Sequence, residues 1–183
     1  MRFTIVLFLY LILPAVSSAQ VTGGYEDYKT LGSDYVNCLV KNDTTALYEK
    51  IIDKKFFMRM LDCASKEGDS AAMMLDSLAN KNYHKVFNVC YRRYFNKMQE
   101  ELQKENVSAP TIDSLDLTKL STDYAICKGI TDYYDLNIYL NSNDRKYGIQ
   151  IEVTQYLGMW YAIDIRDPLI GAGLGNKEDK KTQ

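Results

Sequence analysis

Apolar residues along this chain recur at helical spacing up to about residue 106 and at strand spacing beyond it, so two kinds of structure must be packed together. Pro14 and Pro110 enclose a proline-free span in which Tyr28, Leu31, Tyr35, Cys38 and Leu39 form a first helical stripe. Asn42-Asp43-Thr44 reads as a turn and helix cap, after which Leu47, Ile51 and Ile52 open a second helix. Phe56, Phe57, Met60, Leu61 and Ala64 continue it or form a third, which Gly68 stops. Asp69 caps the next, whose stripe begins Met73, Met74, Leu78. A long stripe then runs Val86, Phe87, Cys90, Tyr91, Tyr94, Met98, Leu102. Past it, "VSAPTIDSLDL" reads as a connector, and Thr122–Ile130 as a first strand. Tyr134, Leu136, Ile138 and Leu140 alternate with polar or aromatic neighbours, as do Tyr147, Ile149, Ile151 and Val153. Leu157, Met159, Tyr161, Ile163 and Ile165 do the same. The order predicts an α+β fold: N-terminal helices packed on one face of an antiparallel sheet of three to four strands.

Two turns set the expected register. "NSNDRK" joins the first two of the three alternating strands. A three-residue loop, Tyr156-Leu157-Gly158 with Gly158 left-handed, would pair Gln155 with Met159 and hold Leu157, Met159, Tyr161, Ile163 and Ile165 on the core side.

The ends differ in character from the middle. "MRFTIVLFLYLILPAVSSAQ" has one basic residue, an apolar run from Phe3 to Leu13 and small residues at Ser17 and Ala19. This is the layout of a secretory signal peptide over residues 1–19, cut after Ala19. The apolar run falls short of the ~20 residues needed to cross a bilayer, so no transmembrane segment is expected once it is removed. The chain is then expected to be secreted or periplasmic, with one α+β domain over 20–167 and a flexible tail over 168–183. In that tail Gly171, Gly173 and Gly175 do not fit a dinucleotide loop, because Asn176 takes the last glycine's place.

The formal charge of -2, or -3 without Arg2, gives no basic stripe for a nucleic-acid partner. Cys38, Cys63, Cys90 and Cys127 match no zinc spacing. In an exported chain they permit two disulfides in three connectivities, or they serve as buried thiols. No motif calls for a metal or another cofactor.

The helical hairpin, the start at Asp43 to Leu47, the helix through "YRRYFNKMQEELQKEN", the connector "APTIDSLDL" and the closing "GMWYAIDI" together resemble small exported proteins of the nuclear-transport-factor-2-like (cystatin-like, α+β cone) superfamily. The likeness spans most of residues 25 to 167, with the hairpin "YGIQIEVTQYLGMWYAIDI" its most telling piece. It implies a sheet curved around helices in a cone-like arrangement, often with a pocket between them. The superfamily holds isomerases, dehydratases and hydrolases, and many non-catalytic binding and accessory domains, so fold alone does not decide function.

The residues themselves do not favour catalysis. His84, the only histidine, lies beside Lys81 and Lys85 and reads as a helix-flanking residue, and no nucleophile elbow, Walker or metal-loop pattern occurs. The core faces of the three alternating strands carry no Asp, Glu or His. Their other faces would set Glu152 opposite Asp135, Gln150 opposite Asn137 and Asp164, and Thr154 opposite Tyr133 and Trp160. That face is either an ordinary solvated surface or a recognition surface made by Tyr133, Tyr139, Glu152, Trp160 and Asp164. The tyrosine- and arginine-bearing "YHKVFNVCYRRYFNKM" reads as an amphipathic helix, and Asn42 and Asn106 sit in glycan-acceptor patterns. The expectation is an exported, non-enzymatic domain that binds a small apolar ligand or a partner protein. The alternatives are a pocket enzyme of the same fold, isomerase or hydrolase in type, and a structural cell-envelope component.

Overall fold

A computed structural model describes residues 23–120 and 132–165. The signal segment 1–19, the Thr122–Ile130 strand, Cys127 and the tail 168–183 lie outside the described residues. Among the described residues the fold is α+β, with helices preceding a four-stranded antiparallel sheet that is not closed into a barrel.

Aspartates start the first four α-helices. Asp27 accepts the backbone N–H groups of Lys29 and Thr30 at the head of α1 (Tyr28–Lys41), which ends at left-handed Asn42. Asp43 does the same for Ala46 in the short α2 (Thr44–Ala46), which runs on as a π-helical turn, Leu47–Ile51. Asp53 caps α3 (Lys54–Lys66) through the Phe56 N–H at 2.6 Å, and Asp69 caps α4 (Ser70–Phe87) through Ala71 and Ala72. Each side chain satisfies donors that the first helical turn leaves without partners, an effect of about 1 kcal/mol per cap. Inside α4, Asn82 leaves the helical region, and its side chain re-caps the following turn through the Lys85 N–H.

The long stripe after α4 is interrupted by a second π-helical turn, Asn88–Arg92, before α5 (Arg93–Lys104). The wider π turn makes the buried residues advance by fours through Tyr83, Phe87, Tyr91 and Phe95, so Phe95 is buried and Tyr94 faces out. In α4 the expected stripe is likewise displaced. Met73 and Met74 are exposed, and Ala72 and Ala79 are buried instead.

The sheet order is β1 (Thr111–Lys119), β2 (Tyr133–Ser142), β3 (Arg145–Tyr156), β4 (Met159–Ile165), each antiparallel to the next. The expected connector is therefore largely the edge strand β1. A register shift between Ile112 and Ser114 puts Ile112 out of step with Leu115 and Leu117, which hid the strand's alternation. The β2–β3 register is as expected, with Asp135 opposite Glu152 and Asn137 opposite Gln150.

The β3–β4 register is not. The turn has two residues, Leu157 and Gly158, both at positive φ, and pairs Tyr156 with Met159 and Gln155 with Trp160. A second shift between Glu152 and Val153 then brings Asp164 opposite Glu152. A slip of one residue exchanges faces. Trp160 and Ala162 thus join the helix-facing core with Ile151, Val153 and Ile165, while Met159, Tyr161 and Ile163 go to the reverse side.

The reverse side is not open there. Tyr133 and Tyr161 are buried against Phe56 of α3, whose ring stacks on Tyr161 at 3.9 Å, with Met60 and Cys63 beside them. Cys63 is disulfide-bonded, whereas Cys38 and Cys90 are free thiols.

Leu157 is a branched residue held at φ 52° and 68% exposed, in a turn that favours Asn-Gly. Leu157→Asn is expected to raise stability by about 1 kcal/mol. An unchanged or lower denaturant midpoint would count against the two-residue turn.

Candidate functional site

The five outer-face candidates are not assembled into one surface. Tyr133 is fully buried, and Tyr139 is half-buried between Ser114 and Gly148 on the neighbouring strands. Trp160 lies on the opposite face. Its backbone exchanges hydrogen bonds with Tyr25 at 2.6 and 2.9 Å, and its ring meets Tyr28 and Tyr134 edge-on at 5.5 and 5.4 Å. Trp160 thus fastens the segment before α1 to the last strand, on the face away from Glu152 and Asp164.

The structure does bring Glu152 and Asp164 together, adding Asp135 to make a row of three carboxylates across β2, β3 and β4. Like charges side by side on a sheet are unfavourable. Each of the three has an interaction partner, and no group of described residues has the makings of a metal site.

A different site appears where the two π-helical turns face each other. Tyr48 and Glu49 come from the first turn, and Asn88 and Arg92 from the second. With His84 and Phe87 at the end of α4 and the Thr44 and Thr45 hydroxyls of α2, they line a cleft of about 250 Å³. The Tyr48 ring lies parallel to His84, 4.5 Å between centres, and stands edge-on to Phe87 at 4.9 Å. Its hydroxyl is 3.2 Å from His84 Nε2. The cleft therefore offers an aromatic wall, hydroxyl and amide groups, and one charge of each sign.

Desolvation, then the charge on Glu49, pushes the Tyr48 phenol above its ordinary pKa, so it stays protonated rather than becoming a base. The free thiols are no better placed as nucleophiles. Burial, followed by the Asp43 and Asp34 carboxylates, pushes Cys38 up to about 11, and burial raises Cys90 as well.

From the sequence His84 reads as a helix-flanking residue, because the cleft depends on π turns that a regular helical period does not encode. The four-residue steps Tyr83, Phe87, Tyr91, Phe95 were its only visible trace. Comparison with protein-family models, with curated proteins and with solved structures gives no match to this chain.

Burial also raises Tyr25, Tyr35, Tyr83 and Tyr91. An unfolded phenol ionises near pH 10, while these stay neutral in the folded chain. Their contribution to stability is whole below about pH 10 and is lost as pH rises beyond it. The urea midpoint is expected to stay level from pH 7 to about 8, to begin falling as the unfolded-state Cys38 and Cys90 thiols ionise at about 8.5, and to fall more steeply above about 10 as the phenols follow. A level midpoint through pH 11 would contradict the buried phenols.

Proposed function

We propose that this chain is an exported, non-enzymatic α+β domain that binds a small ligand in the cleft between its two π-helical turns. The observation that carries the reading is the convergence of an aromatic wall, Tyr48 stacked on His84, with Asn88, Arg92 and Glu49. A concave site with a few convergent polar groups is the usual form of a small-molecule site, and π turns are frequent at functional positions.

Export is supported by two independent features. The N-terminal layout is that of a signal peptide, and a disulfide at Cys63 suits an oxidising compartment. Among the described residues no helix is long and apolar enough to cross a membrane. The resemblance to the nuclear-transport-factor-2-like superfamily favours a binding role insofar as many of its members are non-catalytic.

Two measurements test the reading. A thermal-shift screen of the purified chain is expected to give ligands whose effect falls at least about tenfold in apparent affinity, roughly 1.4 kcal/mol, in Arg92→Ala. Ligands that bind Arg92→Ala and His84→Ala as well as the wild type would place binding elsewhere. Non-reducing peptide mapping is expected to join Cys63 to Cys127, the one cysteine left once Cys38 and Cys90 are free. Recovery of the exported protein with Cys63 reduced would remove the support from the disulfide.

A further inference from the structure

The charges in the cleft narrow the ligand. Glu49 and Arg92 are both exposed, both line it, and neither forms an ion pair among the described residues. A simple anion would suit Arg92 and be opposed by Glu49, and a simple cation would meet the reverse. A purely apolar molecule would take both charges out of water with nothing in return, which is costly. A zwitterion gives each a partner of opposite sign. Any direct pairing of Glu49 with Arg92 that a ligand must displace is weak at an exposed site, worth about 0–1 kcal/mol.

The wall and the size supply the rest. Tyr48 and His84 lie parallel within 10°, and the Phe87 ring buttresses Tyr48 at 83°. Flat groups stack on such a surface. At about 250 Å³ the cleft is smaller than most sites for drug-sized molecules, which start near 300 Å³, and suits a molecule with a single ring. Arginine can grip a carboxylate through two parallel hydrogen bonds, and the Asn88 amide and the Thr44 and Thr45 hydroxyls can meet remaining polar atoms.

We propose that the cleft takes a small zwitterion with a planar side chain, of the class of a free aromatic amino acid, with its carboxylate at Arg92, its ammonium at Glu49 and its ring against the Tyr48–His84 wall. This rests on the reading of the cleft as the binding site and specifies its ligand.

The test titrates the purified chain with L-phenylalanine and three analogues, each lacking one element: 3-phenylpropanoate without the ammonium, 2-phenylethylamine without the carboxylate, and glycine without the ring. Binding is read from backbone amide shifts of the cleft residues, with the thermal midpoint of each variant confirming that it is folded. L-Phenylalanine is expected to bind at least about tenfold more tightly than any analogue. Arg92→Ala is expected to erase its advantage over 2-phenylethylamine, and Glu49→Gln its advantage over 3-phenylpropanoate. Equal affinity for L-phenylalanine and 3-phenylpropanoate overturns the zwitterion. So does the absence of cleft shifts with L-phenylalanine at millimolar concentration. In either case the ligand class falls, and the binding reading survives if a screened ligand still depends on Arg92. L-Phenylalanine binding that ignores both substitutions overturns the ligand class and the site together.

Discussion

The close seating of α1 on the sheet organises the described fold. At Gly32 a Cβ atom would lie 2.4 Å from Leu115 Cδ2 and 3.2 Å from Leu136 Cδ2, so the helix approaches β1 and β2 more nearly than a larger residue there would allow. From that point the helix reaches in two directions. Tyr28 in its first turn meets Trp160 of β4, while the Leu39 carbonyl near its end accepts a hydrogen bond from the buried Gln99 side chain of α5 at 2.8 Å. That carbonyl also accepts the Asn42 N–H at 3.2 Å, so the glutamine adds a second donor at the end of the helix. One helix thus joins the edge strand, the last strand and the final helix.

The last strand shows why a correct strand assignment can still misplace its side chains. In an unbroken strand Trp160 and Asp164, four residues apart, must share a face. The shift near Ile163 separates them: Trp160 turns toward the helices and Asp164 joins Glu152 on the reverse side. The turn before Met159 has the same effect on the first half of the strand, since a two-residue loop and a three-residue loop differ by one step of the pleat. Alternation marks where a strand lies. It carries no record of an inserted residue, so the tyrosine and tryptophan expected on one surface lie on two.

The helices were more legible because their boundaries are written in local chemistry. Asp43, Gly68 and Asp69 act through their own side chain or backbone conformation, and the structure uses them as the sequence suggests. The helical stripes were less exact wherever the helix departs from 3.6 residues per turn, as at Tyr94 and Phe95. The edge strand β1 was hidden by its acidic and hydroxyl residues and its shift at Ile112. An edge strand can carry such residues because part of it faces water.

The same departure from regular helix that obscured the stripe makes the cleft. A π turn carries an extra residue, and here two such turns bring Tyr48 beside His84 and Phe87 and place Asn88 and Arg92 next to Glu49. Tyr48 is also tied to the core, meeting Tyr83 at 5.4 Å, so the wall it presents is fixed by packing behind it. An aromatic plane held in place by packing loses little conformational freedom when a flat molecule stacks on it, whereas ordering the exposed Glu49 and Arg92 side chains costs about 0.5–1.5 kcal/mol each. The Tyr48 phenol is held protonated and the Cys38 and Cys90 thiols are pushed toward their neutral forms, so none of these three groups is an activated nucleophile or base near neutral pH.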